Sequence, residues 1–274
     1  MSSDIVLSAG IRSNLLQLQQ TSDLIQQTQL RLSTGKRVNS ALDNPTNFFT
    51  AAGLNDRAND LSALLDAESN AIQTIQAANN GLDGITKLVQ SAQAIARQAQ
   101  QSTDTAERTT LQSQFNDLLT QIDQLAGDAS FNGVNLLNGD NLTVVFNEQG
   151  TAKLTITGVT DTSSGLSISS ATSWGDATAG DTNIQNALDD LSTALSTLRT
   201  QAKTLGSNLT TVQARQDFTK AMINTLQTGA DNLTLADTNE EGANLLALQT
   251  RQQLSTTALS IAAQADQNVL RLFQ

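Results

Sequence analysis

From Leu188 to Leu226 one stripe of side chains steps by three and four residues without a slip. Leu188, Leu191, Leu195, Leu198, Ala202, Leu205, Leu209, Val212, Ile223 and Leu226 carry it, and Gln216 and Thr219 hold the polar places in the same stripe. A narrow seam sustained over about five heptads commits this part of the chain to one long helix with a helical partner along its length. Such a seam cannot bury itself alone. Only 3 % of residues are aromatic, Tyr is absent and Trp174 is the single tryptophan, so the core must come from Leu, Ile, Val and Ala. That palette suits long helices packed side by side.

The remaining segments fit this frame. A first helix is expected from about Asp4 to Thr34, with Ile11, Leu15, Leu18, Ile25 and Leu32 on one stripe and Gly35 ending it. Residues 36 to 43 read as a connector, and Asn44–Pro45 as an N-cap with Pro at the first helical position. A second helix is expected from Pro45 to about Gln101, its stripe of Leu61, Leu65, Ile72, Ile75, Leu82 and Val89 interrupted by Glu68, Asn79 and Thr86. Interruptions of this kind weaken a seam but can fix its register. Asp104 with Glu107 opens a third helix carrying Leu111, Phe115, Leu118, Ile122 and Leu125, which stops near Gly127.

The pattern changes near residue 130. Phe131–Asn132–Gly133 is a turn signal, and Leu142/Val144/Phe146, Leu154/Ile156 and Leu166/Ile168 alternate as in short strands. A small region of β-hairpins is expected at about 130–173, then a loop over 171–182. After the long seam Gly229 marks a break, and Thr238 with Glu241 reads as a capping box for a last helix from about Asn239 to Leu272. The fold class is therefore mainly α, with long paired coiled-coil-like helices from both termini and a small mid-chain β-hairpin region.

Composition excludes several activities. With no Cys and no His there is no disulfide, cysteine zinc site, Ser–His–Asp catalysis or HExxH chemistry. No catalytic residue, cofactor or metal is expected. A net charge of −11 argues against a nucleic-acid partner, which needs a basic surface. The first ten residues lack a basic, then apolar, signal-peptide pattern, and no stretch approaches a membrane span. On this evidence the chain reads as cytoplasmic, with export through a route that reads no cleavable signal left open.

The candidate chemistry is modest. Asp237-x-Asn239-x-Glu241-Gly242 resembles the start of a calcium loop, but Leu248 stands where a bidentate Glu is required, so a helix cap is the better reading. Arg31, Lys36 and Arg37 cluster around the first connector. They form either a solvated patch or a contact between subunits with acidic groups such as Asp43. The stripes near the two ends, with Ile11, Leu15, Leu18 and Ile25 on one side and Leu254, Leu259, Ile261, Val269, Leu270 and Leu272 on the other, lie outside the well-sized middle. A partner surface is at least as good a reading there as an internal core.

Three stretches carry a family resemblance. Arg31-Leu32-Ser33-Thr34-Gly35-Lys36-Arg37-Val38-Asn39-Ser40-Ala41-Leu42-Asp43 resembles the N-terminal signature of bacterial flagellins. Phe131-Asn132-Gly133-Val134-Asn135-Leu136-Leu137 resembles their FNG turn, and Ala262 to Phe273 resembles their closing Gln/Ala-rich helix. Pro45-Thr46-Asn47-Phe48-Phe49 departs from the usual small, polar start of the second helix. The resemblance implies a structural subunit of the flagellar filament, outside the cell. It implies two discontinuous layers: residues 1–44 with 233–274 as an inner tube, and 45–232 as the next layer. The outer variable domains of larger flagellins should be missing.

The implied partners are other copies of the chain, the cap and hook-associated proteins, an export chaperone and the flagellar type III export apparatus. A membrane partner is not implied. The alternative is the hook–filament junction protein, which resembles flagellin at both ends and should not elongate. The resemblance further implies weak or no recognition by the vertebrate Toll-like receptor for flagellin. Ser91 stands where a receptor-contacting Arg would be and Ala94 where a Glu would be, with Ile95 following.

Overall fold

The computed structural model describes residues 9–272, and its helices follow the stripes closely. Helix α1 is Ala9–Thr34, α2 Pro45–Gln101, α3 Thr105–Asp128, α4 Gly180–Thr234 and α5 Thr238–Leu272; strands β1 (Leu142–Val145) and β2 (Lys153–Ile156) form one antiparallel hairpin. The part of the expected first helix before Ala9 lies outside the described residues. Two compact units divide the chain. One holds residues up to Asp56 and from Thr225 onward, and the other Arg57–Asn224. These boundaries fall inside α2 and α4, whereas the sequence-derived layers divide at 44/45 and 232/233.

The larger unit carries the main core. Ile72, Ile75, Leu82, Ile85 and Val89 of α2 meet Leu191, Leu195, Leu198, Leu205 and Val212 of α4, with Phe115 and Ile122 of α3 in the same cluster. Every position of the long seam is buried or half-buried. Of its polar members Gln216 is half-buried, whereas Thr219 is buried and its hydroxyl donates to Glu68 Oε1 at 3.1 Å. The two seams are therefore interrupted at the same level.

On α3 the buried stripe is Leu111, Phe115, Leu119, Ile122 and Ala126, while Leu118 and Leu125 are only half-buried. At both forks, Leu118/Leu119 and Leu125/Ala126, the core takes the neighbour one position on from the expected residue. Asp104 caps α3 as expected, its Oδ1 accepting from the Ala106 amide at 2.9 Å. Glu107 does not reach back to the cap residue; it accepts from Ser102 Oγ at 2.6 Å.

The β region is smaller than expected. Among the described residues the one pair of strands is the hairpin β1–β2, in the register Leu142–Ile156 to Val145–Lys153, with isolated bridges at Phe131–Val134 and Asn138–Thr160. Phe146 closes it from outside the strand, donating its amide to Ala152 O at 2.8 Å. Leu166 and Ile168 are both buried but belong to a turn. Ser167 between them sits at φ 58, a left-handed conformation that reverses the chain, so two inward side chains arise without a ladder partner.

Two further expectations are corrected. Helix α4 runs through Gly229 to Thr234 without a break. Glycine in a helix costs about 1 kcal/mol relative to alanine, and Leu226, Ala230 and Thr234 stay buried around it. Helix α5 is capped by Asp237 rather than Thr238: its Oδ1 accepts from the Asn239 amide at 2.8 Å and the Glu240 amide at 3.3 Å. Glu241 is released from the capping box and pairs with Arg31 instead.

In the smaller unit α1 and α5 run antiparallel beyond the Lys36–Leu235 bridge. Gly35 at φ 68 ends α1, and the Arg37 amide donates to Thr234 O at 2.7 Å. The turn after α1 is thereby tied to the end of α4.

Candidate assembly surface

The terminal helices bury little. Among the described residues, α1 buries Thr21, Ile25 and Thr28, and α5 buries Glu241 alone. Two of α1's buried positions are threonines, and the buried position of α5 is a carboxylate. Large apolar side chains lie in the open instead. Leu15, Leu16, Leu24 and Leu30 are exposed on α1, and Leu246, Leu254 and Ile261 on α5; Leu254 is 67 % exposed. Isolated exposed leucines are ordinary, but here the exposed large apolar side chains outnumber the buried ones on both helices.

The candidate contact residues sort by environment. Ile25 packs inward, Ile11, Leu18 and Leu259 are half-buried, and Leu15, Leu254 and Ile261 are exposed. The side chains of Val269, Leu270 and Leu272 lie outside the described residues. Arg31 is not a solvated cation: its Nη1 donates to Glu241 Oε1 at 3.0 Å, and its Nε is buried with no acceptor. Lys36 and Arg37 are exposed.

Asp43 pairs with none of these cations by hydrogen bond. Its Oδ2 accepts from the Asn39 and Ser40 amides, both at 3.0 Å, which closes the connector on itself. The Ser40 amide, then the Asn39 amide, hold its carboxyl below the usual range. Leu42 at the tip of this loop is 96 % exposed, and Phe49 on the first turns of α2 is also exposed. Periodicity could not find these two, because neither belongs to a stripe.

In the larger unit, Ser91 and Ala94 are exposed on α2 and Ile95 is half-buried against the core. Ser91 Oγ donates to Lys87 O at 3.0 Å. No group of three or more acidic side chains suited to a metal occurs among the described residues, and none of their helices is long and apolar enough to cross a membrane.

Long α-helices, with large apolar side chains exposed on α1 and α5, define a mainly helical protein with no catalytic constellation among the described residues. Comparison with known proteins agrees. Residues 9–142 match the bacterial flagellin N-terminal helical region and residues 186–273 match the bacterial flagellin C-terminal helical region. The chain is 34 % identical to flagellin FljM of Caulobacter vibrioides, over 97 % of each chain. It is 29 % identical to a flagellin of Brucella melitensis, over 98 % of this chain and 99 % of that one. A crystal structure of Bacillus cereus flagellin aligns at a TM-score of 0.48 and 20 % identity, covering 55 % of this chain and 86 % of that one.

The chain belongs to the flagellin family. It is a structural subunit that polymerises with its own copies into the bacterial flagellar filament, and it is not an enzyme.

Proposed function

We propose that the terminal helices are the principal subunit contacts of this filament. Residues 1–44 with 233–274 form its inner layer, and 45–232 the layer outside it. The observation that carries this reading is the exposure of Leu15, Leu16, Leu24, Leu246, Leu254 and Ile261 on helices that bury almost no apolar residue. Covering each such side chain with a neighbouring copy contributes roughly 1.5–3 kcal/mol. Repeated along a heterologous, non-closing contact, that is enough to drive polymerisation. Lys36, Arg37 and Asp43 line the connector where neighbouring copies approach.

The subunit works outside the cell, after passage through the flagellar type III export apparatus with a dedicated chaperone. The cap and hook-associated proteins meet it at the filament ends. The same account makes it a poor ligand for the Toll-like receptor, because Ser91 and Ala94 offer neither a guanidinium nor a carboxylate.

Hydrogen exchange compared between monomer and filament tests the contact assignment. Residues 9–30 and 245–265 should exchange quickly in the monomer and gain strong protection in the filament. Equal protection in both states would sink it.

A further inference from the structure

The groove between α1 and α5 has an unbalanced charge. It encloses about 370 Å³ and is walled by Leu24 and Leu248, with Thr28, Arg31, Glu241 and Arg251 among the residues around it. Glu241 is committed to Arg31. Arg31 keeps a buried Nε without an acceptor. Arg251 has no ion pair or hydrogen bond among the described residues. The groove therefore holds two guanidiniums against one carboxylate, in a chain whose net charge is −11.

Arg31 of α1 and Arg251 of α5 line this groove from opposite walls. Arg31 sits level with Glu241, and Arg251 lies about 15 Å further along α5 at the usual helical rise. Both guanidiniums line the same slot between the two helices. Guanidiniums prefer planar, two-oxygen acceptors.

We propose that this slot takes an aspartate or glutamate side chain from a second copy of the chain, clamped between Arg31 and Arg251. The proposal rests on the filament reading and adds to it a charged contact within an apolar surface. Charge selects this occupant: the excess in the groove is positive, and copies of the same chain are the acidic surface at hand in the polymer. A contact of this kind sets register and salt dependence more than raw affinity.

The test uses the full chain. Arg251→Gln leaves the Arg31–Glu241 pair untouched. Seeded elongation of R251Q should need a several-fold higher monomer concentration than the unsubstituted chain, and the requirement should respond less to added salt. In filaments of Arg251→Lys, a carbodiimide should form an amide between position 251 and an acidic residue of another chain. Mixed isotope labelling identifies that amide as intermolecular. Unchanged elongation by R251Q, or a link only to Glu241 of the same chain, would overturn the slot and leave the filament reading standing. So would R251Q weakening the monomer's binding of inorganic phosphate while elongation stays unchanged, since the occupant is then a free anion. Failure of the unsubstituted chain to elongate would overturn both.

Discussion

Thr219 and Glu68 face each other inside the α2–α4 seam, the threonine hydroxyl donating to Glu68 Oε1 at 3.1 Å while Oε2 has no partner. Each is the polar interruption of its own stripe, and the fold places them at one level. Beside them Gln216 Nε2 donates to Ser69 Oγ at 2.9 Å. Register shifts that part these residues would strand a buried carboxylate among apolar side chains, which is how a weak point in a seam fixes alignment.

Substitution should expose that role. Thr219→Val removes the donor and leaves the carboxylate bare, at a cost of about 1–3 kcal/mol. Burial, opposed by the Thr219 hydroxyl and more weakly by Arg215 and Lys220, raises the Glu68 pKa above its ordinary value. Glu68→Gln should therefore be neutral or stabilising at pH 7. Urea unfolding followed by Trp174 fluorescence reads this unit alone, since Trp174 is the single tryptophan. Equal midpoints for T219V and the unsubstituted chain would remove Glu68 and Thr219 from the account of register.

Asp161 predicts a pH response. It is fully buried, both carboxylate oxygens lack a partner, and Gln201 Oε1 is also buried and unpartnered. Burial pushes its pKa up to about 6, with the Gln201 side chain opposing. The folded pKa exceeds the unfolded one, so this stabilisation is complete below about pH 4 and is lost as pH rises through about 6. A protonated Asp161 can donate to Gln201 Oε1; an ionised one cannot. Asp161→Asn should raise stability at pH 7 by on the order of 2–3 kcal/mol and flatten the fall between pH 4 and 7. The Trp174 unfolding midpoint across that range reads it, and a fall of the same size in D161N would contradict it.

The aromatic pair offers a packing test. Phe115 and Trp174 are both fully buried, with ring centroids 5.0 Å apart. Phe115→Ala should cost about 3–5 kcal/mol and red-shift Trp174 emission in the folded state as the indole meets water. Loss of stability without a spectral shift would mean that the cavity collapses around the indole.

Much of this was legible in the sequence. Pro45 and Gln101 bound α2 where the N-cap and the stripe put them, because long periodic segments fix helices by burial alone. Sequence reading failed where a partner far along the chain decides. Arg108 ties the helix junction: its Nε donates to Ser102 O at 2.6 Å and its Nη2 pairs with Asp181 at 2.6 Å. Spacing does not announce that relationship. The turn holding Leu166 and Ile168 mimics strand alternation, since both patterns point every second residue inward. Glu241 reads as a cap by its distance from Thr238, but its use is settled by Arg31 on another helix.

Host recognition gives a separate prediction. A reporter-cell assay with purified monomer should give a weak response, and Ser91→Arg should raise it, since a central Arg in an interface often contributes more than about 1 kcal/mol. Arg97 is exposed nearby but lies about 600° further around the helix, on another face. Potency equal to that of a strongly stimulating flagellin would show that Ser91 and Ala94 do not matter.

The terminal helices, and not the larger unit, are proposed to drive filament growth. Electron microscopy of growth from sheared filament seeds, comparing the full chain with one lacking residues 260–274, tests it most directly. The full chain should extend seeds into long filaments, and the truncated chain should add none while its Trp174 unfolding midpoint stays unchanged. Normal filaments from the truncated chain would contradict the account.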